Sequence, residues 1–466
     1  MSTAPQVRED YNTGRAVMLA GVAALGGFLF GFDTAVINGT VTAVTKQFEM
    51  GPGLSGFVVS SALLGCVAGA YLAGRLADRM GRIKVMVLAA GLFTASAIGS
   101  GLAFGPVDLI FWRIVGGLGV GAASVIAPAY IAEISPASIR GRLGSLQQLA
   151  IVTGIFVALL SDAFLARVAG GAIEELWFSL EAWRWMFIVE VVPALAYGIL
   201  SLQIPESPRY LVSRGDHEGA RSVLSEVLVT GVDERMSEIR RTVIQDRRSS
   251  FADLRGSALG FLPIVWIGVM LSVFQQFVGI NVIFYYSSSL WQQVGFSERD
   301  SLTITVITSV INILVTLVAI ATIDNFGRRK LLLVGSAGMA LSLGALAYVF
   351  GTAPLEGGEP VLGDAAGLTA LIAANMFVVF FGMSWGPVVW VLLGEIFNNK
   401  IRASALGLAA AAQWLANFAI STTFPSLAAL GLGFAYGLYT TFAVLSFIFV
   451  FKFVVETKGR QLEDMD

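Results

Sequence analysis

Long apolar runs separated by short polar or charged turns recur along almost the whole chain. They cover residues 16–41, 54–77, 84–104, 107–132, 143–165, 183–204, 260–290, 301–323, 331–351, 366–394, 402–430 and 432–454. A helix needs about 20 mainly apolar residues to cross a bilayer, so each run predicts a membrane-spanning helix and the series predicts twelve. One polar stretch, 205–259, interrupts the series at its middle. There Leu211, Ala220, Val223, Leu224, Val227 and Leu228 stand among charges at roughly helical spacing, which predicts short amphipathic surface helices. The chain therefore divides into a six-helix half (1–204), a helical linker (205–259), a second six-helix half (260–455) and a tail (456–466).

Composition leaves no other class open. Hydrophobic residues make up 56% of the chain and charged ones 13%, against roughly 25% charged in soluble domains. The 52 glycines and 13 prolines are tolerated in membrane helices, where neighbours satisfy the freed backbone groups. A net charge of −2 says little, but its placement says much. With both ends on one side, that side holds 25 of the Lys and Arg residues and the opposite side 4, which puts both termini in the cytoplasm of a protein of the inner (plasma) membrane. Met1 to Tyr11 has no apolar core, so the first run is expected to be a retained span. Cys66 and His217 are each the sole residue of their kind, so no disulfide, metal cluster or other bound cofactor is expected, and nothing in the charge pattern suits nucleic acid.

Two stretches of the first half recur in the second. Asp78-Arg79-Met80-Gly81-Arg82 matches Asp324-Asn325-Phe326-Gly327-Arg328 at an offset of 246, and Glu133-Ile134 with Ile139-Arg140 matches Glu395-Ile396 with Ile401-Arg402 at an offset of 262. A parallel repeat of six-helix halves follows, and such repeats place a substrate site at their interface near the midplane. The duplicated acids and bases, Arg75, Asp78, Arg79, Arg82, Glu133, Arg140, Glu206 and Arg209 in one half and Asp324, Arg328, Arg329, Glu395 and Arg402 in the other, suit a cytoplasmic gate that pairs when that side closes. Solvated charges of the inner surface are the plainer reading of any one of them.

Charges deep in spans are costly and mark function. Asp33, Arg113 and Glu190 stand out, all in the first half. The second-half spans instead carry neutral Gln275, Gln276, Asn281, Tyr285, Asn312, Gln413 and Asn417, with Trp390 and Trp414. Amides offer donors and acceptors without a charge to desolvate, which suits a neutral, hydroxyl-rich solute; an interhelical hydrogen bond is the alternative for each alone. Gln276 and Asn281 lie five positions apart, so an intact helix would turn them roughly 140° from each other. They can share a cavity only if the helix breaks between them, and Gly279 makes that break inexpensive.

The sequence resembles the sugar porter family of the major facilitator superfamily from Gly26 to Glu463. The resemblance rests on Gly31-Phe32-Asp33-Thr34-Ala35-Val36, the basic loop Gly74 to Arg82, Arg113-Ile114-Val115-Gly116-Gly117, Pro205-Glu206-Ser207-Pro208-Arg209, Gln275-Gln276-Phe277-Val278-Gly279-Ile280-Asn281, Ser384-Trp385-Gly386-Pro387 and Glu456-Thr457-Lys458-Gly459. Bacterial proton-coupled glucose and xylose transporters look most similar. The resemblance implies an all-α membrane fold of twelve helices in two pseudo-symmetric halves, and no enzyme. It assigns Gln148, Gln275, Gln276, Asn281, Trp390 and Gln413 to sugar contacts, with Phe30, Tyr285 and Trp414 as lining; Asn312 joins the substrate-binding candidates as one of the second-half amides. Asp33 with Arg113 would carry the proton, and Glu190 resembles the extra sixth-helix carboxylate of proton-coupled relatives. The expected function is import of a monosaccharide, glucose or a close aldose, with a proton by a functional monomer in the lipid bilayer. A proton-independent facilitator of the same fold and a membrane sugar sensor are the alternatives.

Overall fold

The computed structural model describes residues 10–136, 139–245, 251–256, 258–356, 359–397 and 401–456. The first half runs α1 (Thr13–Ala35), α2 (Ile37–Gln47), α3 (Pro52–Met80), α4 (Arg82–Gly101), α5 (Pro106–Ile134), α6 (Arg140–Ala169), α7 (Ala182–Ile188) and α8 (Val191–Ser201). The linker holds α9 (Pro208–Ser213), α10 (His217–Val227) and α11 (Val232–Gln245). The second half runs α12 (Pro263–Phe277), α13 (Ile280–Gln293), α14 (Glu298–Phe326), α15 (Arg328–Gly351), α16 (Asp364–Gly382), α17 (Trp385–Ile396), α18 (Arg402–Leu430) and α19 (Leu432–Phe453).

Twelve membrane spans result, because four of them are broken into two helices: α1 with α2 forms span 1, α7 with α8 span 6, α12 with α13 span 7, and α16 with α17 span 10. Eleven stretches among the described residues are long and apolar enough to cross a bilayer. The remaining span, α18, has 29 residues and carries Gln413, Asn417 and Ser421 along its length. The helices outrun the apolar sequence runs by a turn at several ends, since polar end residues continue the backbone hydrogen-bond ladder into the interface.

Small residues set how closely the spans approach. A Cβ added to Gly117 of α5 would stand 1.8 Å from the Ala62 carbonyl of α3, and one added to Gly31 of α1 would stand 2.0 Å from the Ile151 carbonyl of α6. Lipid gives helices no hydrophobic reason to associate, so backbone-to-backbone packing of this kind holds the bundle. Across the halves, α3 packs on α18, α6 on α14 and α2 on α13. The hydrogen bonds that join them lie in the part of the bundle away from the chain termini, here called the far end. Ser60 and Thr422 share a hydroxyl bond of 2.6 Å, Ala172 donates its amide to Glu298 at 2.9 Å, and Asn38 is clasped by α13 (see below).

The linker helices bury a small core of Val212, Ala220, Leu224, Leu228, Met236 and Ile239. Ser207 and Asp216 cap α9 and α10 by accepting from the amides of Tyr210 and Gly219, as short polar side chains do at helix starts. Arg15 pairs with Glu226 at 2.5 Å and the Asn12 amide donates to the Val227 carbonyl at 2.8 Å, so the linker is pinned to the beginning of span 1.

Candidate functional site

Span 7 breaks where the sequence allows it. Gly279 adopts φ +84°, a left-handed conformation that side chains disfavour, and it packs so closely on Tyr439 that an added Cβ would come within 2.8 Å of the ring. The break turns Asn281 back toward Gln276, and the Asn281 amide nitrogen donates to Gln276 Oε1 at 2.5 Å. Gln276 Nε2 lies 3.5 Å from Gln275 Oε1. Gln275 Nε2 in turn donates to the Trp385 carbonyl at 2.8 Å and the Gly386 carbonyl at 3.2 Å. These carbonyls lie in the first turn of α17, just past the break of span 10, so a chain of amides links the two broken spans of the second half.

Other sequence-predicted residues surround this chain. Tyr285 accepts from Asn417 Nδ2 at 3.4 Å, and Asn417 accepts from Ser421 at 3.0 Å. The rings of Phe30 and Trp414 meet across the two halves with centroids 5.7 Å apart. Asn312 is buried on the side facing Gly382, and Gln413 Oε1 is buried without a hydrogen-bond partner. Gln148 is half-buried, whereas its neighbour Gln147, which the sequence reading passed over, is buried with Oε1 unpaired and lies against Gly27 of α1. Trp390 stands apart, 44% exposed on the side of α17 opposite the buried line of Val388, Val389, Leu392 and Leu393.

In the first half, Arg113 reaches from α5 to span 1 and donates from Nη1 to the Asp33 backbone carbonyl at 2.9 Å and to Asp33 Oδ1 at 3.3 Å. In an unbroken helix that carbonyl would accept from residue 37, and span 1 breaks at Val36. A side chain competing for a ladder carbonyl is a recognised cause of such a kink. Asp33, Arg113 and Glu190 are each 1% exposed. Asp33 Oδ2, Arg113 Nε and both oxygens of Glu190 have no hydrogen-bond partner. Glu190 sits at the break of span 6, close enough to Asp33 and Arg113 for their charges to bear on it, and all three side chains are shut off from solvent. A fourth buried charge was missed in the sequence. Asp162 of α6 is 0% exposed, although it stands only three residues before the end of the 143–165 apolar run.

The termini end carries two matching networks. Arg82 Nε and Nη2 donate to Glu133 at 3.0 and 2.8 Å, while Glu206 accepts the amides of Arg82 and Ile83 at 2.9 and 3.2 Å. Arg328 Nε and Nη2 donate to Glu395 at 3.2 and 2.8 Å, while Glu456 accepts the amides of Arg328 and Arg329 at 2.9 and 3.1 Å. Each glutamate thus caps the first-turn amides of a helix whose positive end favours an anion. Gly81 and Gly327, both at positive φ, turn the chain into those helices. Ile83 stands where the resemblance leads one to expect Arg, but it contributes only its amide. The arginine–glutamate pairs join residues of one half, and Glu206 of the linker and Glu456 of the tail each tie back to the half they follow, so the networks brace each half as a unit.

The remaining gate candidates divide. Arg75 lies over the Tyr71 ring at 4.3 Å, Asp78 is 3.8 Å from Arg82, the Arg79 carbonyl accepts from Tyr210, and Arg329 donates to the Phe451 carbonyl. Arg209 is engaged as well. The side chains of Arg140, Asp324 and Arg402 lie outside the described residues. Replacing Glu456 with Ala is expected to leave two first-turn amides of α15 uncapped and to cost about 1 kcal/mol, read as a lower unfolding temperature of the detergent-solubilised protein.

A twelve-span bundle of two pseudo-symmetric halves, with polar side chains gathered at helix breaks in its middle, defines a secondary transporter of the major facilitator fold. The sequence profile of the family described as "Sugar (and other) transporter" matches residues 19–466, and the chain belongs to that family. It is a transporter and not an enzyme. It is 61% identical to the glucose transport protein of Synechocystis over 96% of each chain, and 40% identical to the D-xylose-proton symporter of Escherichia coli K12 over 98% of this chain and 96% of that one. Among solved structures it is similar to the proton:xylose symporter XylE bound to 6-bromo-6-deoxy-D-glucose, at 40% identity and a TM-score of 0.79, covering 98% and 99% of the two chains. A partially occluded inward open form of XylE from E. coli gives a TM-score of 0.82 at 38% identity over 96% and 100%.

Proposed function

We propose that this chain imports a monosaccharide, glucose or a close aldose, together with a proton by alternating access across the plasma membrane, with both termini in the cytoplasm. The observation that carries the reading is the division of labour inside one bundle: a dry cluster of two acids on one arginine in the first half, and a chain of neutral amides across two helix breaks in the second. The names of the relatives, a glucose transport protein and a xylose-proton symporter, agree with it. The excess of basic residues at the termini end supports the orientation. A functional monomer is supported by a bundle whose amide chain and acid cluster are each complete within one chain.

Gln276 and Asn281 pair with each other, and a sugar hydroxyl can take the place of one partner without leaving a buried amide unpaired. Gln275, Gln413, Gln148 and Asn312 supply further donors and acceptors. Phe30, Tyr285 and Trp414 give apolar surface for the C–H face of the sugar ring. The hydrogen bonds between halves at the far end describe a carrier closed to the outside, and the inward open XylE neighbour fits that state. Both halves keep their internal charge networks and rock as units against the broken helices.

Because an unpaired buried hydroxyl or amide costs roughly 1–3 kcal/mol, Gln276→Ala or Asn281→Ala is expected to weaken sugar binding about tenfold or more. Equilibrium binding of labelled glucose to purified protein measures it, with galactose, xylose and inositol as competitors. Wild-type affinity in both variants would remove these residues from the site, and preference for a non-aldose competitor would overturn the substrate assigned here.

A further inference from the structure

Asp162 is fully enclosed in span 5, and neither of its carboxyl oxygens has a hydrogen-bond partner. It faces Gly39 of α2 so closely that an added Cβ there would stand 2.6 Å from Asp162 Cβ and 2.7 Å from Oδ2. Gly39 is the third residue of α2, and its backbone amide makes at most a weak contact with the carboxyl, short of hydrogen-bond geometry. One residue earlier on α2, Asn38 is held by the second half. It donates to the Phe284 carbonyl at 2.9 Å and accepts from the Ser288 amide at 3.1 Å, and its carbonyl accepts from the Ser288 hydroxyl at 2.5 Å. Successive helix positions are about 100° apart, so α2 presents Gly39 to span 5 and Asn38 to span 7.

We propose that Asp162 is a second proton-binding acid, placed at the far-end gate, which takes a proton from the outer compartment when spans 1 and 7 part and is enclosed in neutral form when the Asn38 clasp closes. An unpaired carboxylate in a membrane interior is costly, so the closed gate holds the group as a carboxylic acid. Opening withdraws α13 from α2 and α14 from α6, which loosens the packing around the α2–α6 contact and lets water reach the carboxyl. There water solvates the anion, so the proton exchanges with solvent. A hydronium ion gives its proton to the carboxylate and leaves as water; no bond to carbon changes.

The other ionisable groups on the elements packed around span 5 are occupied elsewhere or lie at its ends. Asp33 of α1 is held by Arg113 of α5, Arg184 of α7 pairs with Glu181, and Glu298 of α14 accepts from Ala172. Lys46 of α2, Arg299 and Asp300 of α14 and Arg142 and Arg167 of α6 stand toward the helix ends. Asp33 lies six residues before Gly39 on span 1, about 9 Å along the helix, so the two acids lie in series along it from the far end inward.

The inference rests on the proton-coupled reading, but its primary test does not. Infrared spectra of the full-length protein in lipid, at neutral pH, are expected to show the carbonyl band of a protonated carboxyl that shifts in deuterated water, loses amplitude in Asp162→Asn and keeps that amplitude in Asp33→Asn. Glucose binding by Asp162→Asn shows that the variant is folded. In proteoliposomes, the rise of sugar uptake as the outer pH falls is expected to flatten in Asp162→Asn. An undiminished band in Asp162→Asn overturns the proposal, as does a full response of that variant to outer pH. A wild type that carries sugar without protons would overturn the symport reading alone, since the band would still identify Asp162 as the site that binds the proton.

Discussion

Asp33→Asn is expected to exchange sugar across the membrane while losing all uphill uptake driven by a pH difference. Asparagine keeps the shape of the protonated acid and can still accept from Arg113, so the side-chain contact of the pair (Nη1 to Oδ1 at 3.3 Å) retains a partner and the backbone contact that bends span 1 is untouched. What disappears is the change of charge. A gradient drives accumulation only through the charge or proton that moves, about 2.3 kcal/mol per elementary charge per 100 mV, and this variant moves none at position 33. Counterflow of labelled sugar alongside gradient-driven accumulation, in the same proteoliposomes, separates the two. Accumulation at the wild-type level would place the coupling proton elsewhere.

Arg113→Ala is expected to impair both activities. Arg113 is the one base between Asp33 and Glu190, and it also holds the backbone carbonyl at the break of span 1. Removing one member of a buried pair costs about 3–5 kcal/mol, because the other is left uncompensated. The loss falls on the hinge as well as on the acid, so counterflow and accumulation should decline together, with a lower unfolding temperature. A variant that lost only accumulation would make Arg113 an electrostatic partner with no part in the helix break.

The spans were legible because a bilayer demands about 20 apolar residues per helix, a requirement that any window of sequence either meets or fails. The break in span 7 was legible too, since Gly279 stands between two amides that an intact helix would separate. The break in span 1 was not. No glycine or proline at Val36 marks it in the sequence, and its cause is a guanidinium arriving from span 4. Asp162 was passed over for a related reason: nothing local distinguishes an acid near a helix end from one sealed against a glycine of another span. Glu456 went unrecognised as the counterpart of Glu206 because the two are separated by an offset of 250, unlike either offset that revealed the repeat, and because it follows the last span, where no helix boundary draws attention to it. The amide cluster was readable as residue types on three spans, but which amide meets which depended on the breaks.

The central claim is that sugar and proton cross together. Purified wild-type protein in proteoliposomes carrying a pH-sensitive dye, given glucose outside without any imposed gradient, tests it most directly. Acidification of the vesicle lumen that begins with the sugar and stops when a protonophore is added is the predicted result. Sugar influx with no change of internal pH would contradict the account and identify a facilitator of the same fold.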